Sequence, residues 1–238
     1  MKKNLLLLIL SFALVRAEAQ EQFSHWSIGF SAGPSFPTGH FGSKSNQDKS
    51  GYAATGFSAE VTGGYAFNQS FGLALVAGEQ KNKFAIFSQN TAQPVAINTH
   101  NHDWRITRIL TGGVFTRPFT TRKKLFFQVR LLAGVLKTGI PGYSYDLVGL
   151  PGQPTPLHES APDLSMPWAF CYQADAGLKW KLSHGISLVL NAGYSGAQPA
   201  YTHTYTVGIS GSDFIYQKYS RSMPIGSVHC RAGVDISL

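Results

Sequence analysis

Four charged residues are spaced so that they could share one buried layer. Glu60, Arg130, Asp175 and Arg231 each fall on the small-and-polar side of a two-residue alternation. Counted from the same end of their segments, each lies about five to seven residues in. Two carboxylates and two guanidiniums held away from water must pair and hydrogen-bond, because an unpaired buried charge is costly. Gln128, Gln173, His229 and Asp235 share that parity and complete the expected network, with Arg130 and Asp175 on neighbouring segments as the best single pair. A structural ion network is the chemistry favoured for these residues.

A second group of residue types could serve hydrolysis. A hydrolase needs a nucleophile, a base within about 3 Å and an orienting carboxylate. His102-Asp103, His158-Glu159, His203 and Ser222 supply those types, and Ser210-Gly211-Ser212-Asp213 lies near them in sequence. None forms a diagnostic string: there is no G-x-S-x-G, no H-E-x-x-H and no P-loop. His100, His102 and Asp103 could ligate a metal, but two histidines one residue apart are a weak signal. Solvated loop residues are the favoured account, so no catalytic residue, metal or cofactor is expected.

The elements that must position the charges repeat eight times between Phe23 and Leu238. Trp26, Ile28, Phe30 and Ala32 alternate with Ser27, Gly29, Ser31 and Gly33. Phe57, Ala59, Val61, Gly63, Tyr65 and Phe67 alternate around Glu60, and Phe71, Leu73, Leu75 and Ala77 follow. The fourth segment is the least regular: Trp104, Ile106, Leu110, Gly112 and Val114 share a parity that Arg108 interrupts. Leu125 to Val135, Trp168 to Trp180, Ile186 to Tyr194 and Val228 to Leu238 complete the set. The polar face is crowded with Gly, Ala and Ser, which suits the tight interior of a small barrel, while the large side chains suit lipid. A soluble sandwich or lipocalin-like barrel also alternates, but its polar face would carry more Lys, Glu and Thr.

The pattern therefore predicts an all-β fold, an eight-stranded antiparallel transmembrane β-barrel. Connections at 68–70, about 116–124 and 182–185 are short, and those at about 37–54, 80–103, 138–165 and 196–225 are long. Short periplasmic turns and four long extracellular loops follow, with both termini on the periplasmic side. Trp26, Tyr65, Phe67, Trp104, Trp168, Trp180 and Tyr194 are expected in interfacial girdles. Tyr201 to Val207 and Phe214 to Tyr216 alternate as hairpin extensions would. The proline-rich third long loop, with Pro141, Pro151, Pro154, Pro156, Pro162 and Pro167, is expected to be irregular and folded against its neighbours, or mobile. Because eight strands enclose only enough room for side chains, a continuous pore is not expected.

Residues 1–19 read as a cleaved signal peptide: Lys2 and Lys3, an apolar run from Leu5 to Val15, then Ala17-Glu18-Ala19. Residues 20–238 would form one barrel domain. Losing Lys2, Lys3, Arg16 and Glu18 lowers the formal charge from +8 to +6. Export and the scatter of basic residues argue against nucleic acid and for anionic lipid headgroups. The turn cluster Arg117, Arg122, Lys123 and Lys124 could meet lipid phosphate, an acidic partner or only solvent. Cys171 and Cys230 lie on opposite parities of non-neighbouring strands and are expected to stay free.

With this alternation, the Ala19-Gln20 junction and the closing Val234-x-Ile236-x-Leu238, the chain resembles the small eight-stranded outer-membrane barrels of the OmpA transmembrane-domain and OmpX type, most of all the outer membrane beta-barrel proteins of Bacteroidota. Leu238 stands where such families usually end in an aromatic. The resemblance implies an integral outer-membrane protein in contact with lipids, including lipopolysaccharide, that serves as an anchor, an adhesion surface or an accessory subunit beside a protein partner. Tyr201, Tyr205, Tyr216 and Tyr219 are the candidate loop contacts, since tyrosine offers rigid amphipathic area; packing of one loop on another is an equal reading. An outer-leaflet lipid hydrolase and a small channel are the alternative functions.

Overall fold

A computed structural model describes residues 24–44, 50–85, 99–119, 124–147, 157–161, 163–183, 185–210 and 213–238. The signal peptide and its cleavage site, Arg122, Lys123, His184 and Pro151, Pro154, Pro156 and Pro162 lie outside these residues.

Two-residue periodicity with bulky outward side chains produces eight long strands: β1 (Trp26–Thr38), β2 (Ala53–Ala66), β3 (Phe71–Phe84), β4 (Trp104–Pro118), β5 (Leu125–Lys137), β6 (Ala169–Lys181), β7 (Ile186–Ala197) and β8 (Ile225–Ser237). Each pairs antiparallel with its sequence neighbours, and β8 returns to β1 in register from Ser27↔Ser237 to Thr38↔Gly226. The protein is thus an all-β, eight-stranded antiparallel closed barrel, and no barrel strand keeps a free edge. The tight turn after β2 is set by Asn68, whose side-chain oxygen accepts from the backbone N–H groups of Ser70 and Phe71, both at 2.9 Å.

The outer wall is apolar and exposed. Ile28, Phe30, Leu73, Leu75, Leu131, Leu188, Leu190 and Val234 all present large side chains outward. On β5 the outward apolar run from Leu125 to Val135 spans about 25 Å once a barrel tilt is allowed for. Charges bound this belt: on β3 the outward series changes from Phe71, Leu73, Leu75 and Ala77 to Glu79, Lys81 and Lys83. Aromatic pairs mark its edges, Trp26–Tyr65 (4.7 Å) and Phe71–Phe115 (5.2 Å) at the short-turn end and Tyr172–Tyr194 (6.2 Å) towards the long loops. No helix among the described residues is long and apolar enough to cross a membrane.

The fourth strand corrects the expectation that all large apolar residues face outward. In β4, Trp104, Ile106, Arg108 and Leu110 point inward and are buried, while Arg105, Thr107, Ile109 and Thr111 face out. Trp104 is therefore no girdle residue; it is fully buried and donates from its indole N–H to Gly51 O at 2.8 Å. Arg108 does not break the alternation; it follows the inward side. Leu132 and Leu136 of β5 also point inward, so one wall of the lumen is greasy.

The long connections carry more structure than their composition suggests. The described part of the third is strand and lies against a neighbour: Tyr143–Leu147 and Leu157–Ala161 pair with each other, and Tyr143–Leu147 also pairs with Thr99–Asn101 of the second connection. In the fourth, Ala200–Ser210 and Asp213–Ser222 form a hairpin of their own beyond the barrel sheet. The first holds a single helical turn, α1 (Gly39–Gly42), entered through Gly39 at φ +57°, a conformation that favours glycine.

Candidate functional site

The centre of the lumen is a connected ion layer built from four strands. Asp175 of β6 and Arg130 of β5 are register partners, and Arg130 donates from Nε (3.1 Å) and Nη2 (2.7 Å) to Asp175 Oδ2. The same Nη2 reaches Glu60 Oε1 on β2 at 2.6 Å. Arg231 of β8 closes the layer, with Nη2 3.1 Å from Asp175 Oδ1 and Nη1 2.6 Å from Glu60 Oε2, the latter an ion contact out of line for a hydrogen bond. His229 Nε2 lies 2.7 Å from Asp175 Oδ1, and Gln173 Nε2 donates to Asp175 Oδ2 at 2.9 Å. All six side chains are buried.

Glycine makes this convergence possible. Gly193 on β7 is the register partner of both Asp175 and His229. A Cβ there would overlap the Asp175 carboxylate and lie 2.8 Å from His229 Nε2. The carboxylate and the imidazole therefore meet across a strand that contributes no side chain between them.

Asp235 stands apart from this layer. It pairs with Lys179 at 2.6 Å towards the short-turn end, and both groups are mostly shielded. Gln128 lies 3.5 Å from Thr116 Oγ1 and joins none of the central charges. Two residues that sequence reasoning did not place in the lumen network lie beside it: Arg108 donates from Nη1 to Gln80 Oε1 at 3.1 Å, and Gln80 Nε2 donates to Ser227 Oγ at 2.9 Å. The signal for Arg108 was Gly78, its register partner on β3, where a Cβ would sit 3.1 Å from the guanidinium Nε.

An apolar stopper lies at the long-loop end. Phe41 of α1 packs edge-on against Trp104 with ring centroids 5.3 Å apart, and Phe84 meets the same indole at 6.3 Å. Met166 and Met223, from the third and fourth connections, are buried in the same cluster. Each of the four long connections or its flanking strand thus contributes a side chain to the closure.

Among the described residues, the loop side chains singled out for chemistry do not assemble a triad. His102 Nδ1 pairs with Asp163 Oδ2 at 2.9 Å, and Asp163 Oδ1 accepts from Gly142 N–H at 2.5 Å. The Gly142 amide and then His102 hold the Asp163 carboxyl below the usual carboxylate range. Ser222 Oγ accepts from Gln198 at 3.1 Å. Among the described residues, no group of three or more His, Cys, Asp or Glu side chains gathers as a metal site would require. Tyr201 is half-buried against the apolar cluster; the side chains of Tyr205, Tyr216, Tyr219, His158, Glu159 and His203 lie outside the described set, although their backbones are strand. Cys171 is buried, Cys230 is exposed, and both are free.

No family model and no curated protein matches the chain. Among solved structures it is similar to Neisserial surface protein A (14% identity over 90% of this chain and 97% of that one, TM-score 0.48). It is also similar to Ail, the attachment invasion locus protein of Yersinia pestis (14% identity, 90% and 99%, TM-score 0.41), and to the outer membrane protein OprG from Pseudomonas aeruginosa (10% identity, 91% and 99%, TM-score 0.47).

Proposed function

We propose that this chain is an integral outer-membrane barrel with no enzymatic activity, working as a membrane-embedded scaffold or accessory subunit that presents its long loops to a protein partner. The observation that carries this reading is a lumen closed at two levels, by the ion layer around Asp175 and by the Trp104–Phe41 stopper, inside a wall whose outer face is apolar. Such a wall needs hydrocarbon around it, and a lumen filled in this way offers no water path. The short turns, the start of β1 and the end of β8 share one end of the barrel, which by the usual asymmetry of such barrels would be the periplasmic one. Lipid, including lipopolysaccharide, would cover the belt, with Lys81, Lys83 and Arg105 placed near the headgroups on the long-loop side.

The surface that remains for recognition is the loop crown: the three-stranded sheet shared by the second and third connections and the Ala200–Ser222 hairpin. Tyr201, Tyr205, Tyr216 and Tyr219 belong to that hairpin. Planar-bilayer recording and gentle affinity purification test the reading together. Silent bilayers and a stable co-purifying outer-membrane partner, lost when residues 200–222 are replaced by a short turn, are the expected results. Steady conductance, or lipid turnover by the purified barrel alone, would refute it.

A further inference from the structure

Among the described residues, and apart from the self-neutralising Lys179–Asp235 pair, three guanidiniums and two carboxylates share the interior of the barrel. Glu60 and Asp175 are both spent on Arg130 and Arg231. Arg108 is 2% exposed, and its one hydrogen bond in the lumen is to the neutral Gln80 amide. Its Nε and Nη2 meet no acceptor among the described residues. An arginine cannot shed its proton to escape this position, so with a neutral His229 the region carries one uncompensated positive charge in a poorly solvated place.

Arg108 lines a small cavity of about 10 Å³ together with Gln80, Cys171 and Ser195, walled by Ile106 and Ile225. We propose that this cavity is a binding site for a single monatomic anion of the halide class, held by Arg108 Nε and Nη2. The charge that the two carboxylates leave over calls for one negative charge. The volume is on the scale of one small particle and favours a monatomic ion over a tetrahedral oxyanion such as sulfate or phosphate. The Ser195 hydroxyl, which lines the same cavity, supplies a further donor of the kind an anion takes. Water could satisfy the two N–H groups but would leave the charge in place, and that difference is what an experiment can read.

The test compares equilibrium unfolding of the whole barrel in zwitterionic detergent at fixed ionic strength in bromide, chloride and gluconate. The urea midpoint is expected to rise with the logarithm of bromide or chloride concentration, as linkage to one bound ion requires. It should stay flat when gluconate replaces them. Gln80→Glu places a carboxylate beside Arg108 Nη1 and supplies an internal counter-charge, so this variant should fold and lose the halide dependence. Arg117→Gln, an exposed control in the short-turn region, should keep it. Crystals grown in bromide should show an anomalous peak in contact with Arg108, a readout that needs no variant. Equal midpoints in bromide and gluconate, halide dependence retained in Gln80→Glu or lost in Arg117→Gln, or no anomalous peak beside Arg108 would each overturn the site.

Discussion

Asp175 is the residue on which the interior converges. Its two oxygens receive Arg130, Arg231, His229 and Gln173, so removing its charge leaves two guanidiniums to share Glu60. Taking one partner from a buried ion cluster costs about 3–5 kcal/mol. Asp175→Asn, which keeps the shape, is therefore expected to lower the unfolding free energy of the lipid-reconstituted barrel by that order, read as a lower urea midpoint. A loss under about 1 kcal/mol, the scale of a surface pair, would show that the layer is wet. At Trp104 the side chain fills the mouth and its indole N–H is satisfied by Gly51, so Trp104→Ala is expected to cost about 3–5 kcal/mol and to loosen α1 against the barrel, measured by faster proteolysis near Phe41. Unchanged stability and cleavage would contradict the stopper.

At the scale of elements, most of the barrel strands follow a rule that the sequence displays openly, bulky residues out and small or ionic residues in, although β5 also turns Leu132 and Leu136 inward. β4 obeys the same period with the opposite filling, because its large inward side chains have room where neighbouring strands carry glycine, Gly134 beside Leu110 and Gly78 beside Arg108. Parity alone does not say which side of such a strand is inside; the glycines of its neighbours do. The pairing of Thr99–Asn101 with Tyr143–Leu147 was not legible, since it joins two connections far apart in sequence and leaves no local period. The pairing of Arg130 with Asp175 was legible, because it needs only adjacent strands and equal height. The same loop sheet has a pH dependence. Asp163 braces Gly142 and His102, and its folded carboxyl titrates below its ordinary value near 3.8. Its contribution is thus present above that value and is lost as pH falls through the lower folded one. Being exposed, the brace is screened and modest. Protection of the Gly142 and His102 amides, taken relative to their intrinsic exchange rates, should fall on acidification below about pH 4 while the barrel amides stay protected, and Asp163→Asn should bring that loss of protection to neutral pH. A Gly142 amide that exchanges at the same rate in both proteins would contradict the brace.

For the whole molecule, closure of β8 onto β1 removes the sheet edges, the apolar belt sets where the barrel can reside, and the filled lumen sets what it cannot pass. In the function proposed above, the loops are left as the surface for recognition. The two cysteines report on this arrangement without any engineered site: Cys230 is exposed on the belt and Cys171 is buried inside the wall. The most direct measurement is thiol labelling of the folded barrel in lipid vesicles with a membrane-dissolved maleimide and, separately, with a water-soluble one. The account predicts that the lipid-phase reagent modifies Cys230 and spares Cys171, that the aqueous reagent modifies neither, and that both thiols react once the barrel is unfolded. Modification of Cys171 in the folded barrel by the aqueous reagent, with Cys230 unreactive towards the lipid-phase one, would contradict a lipid-facing wall around a sealed interior.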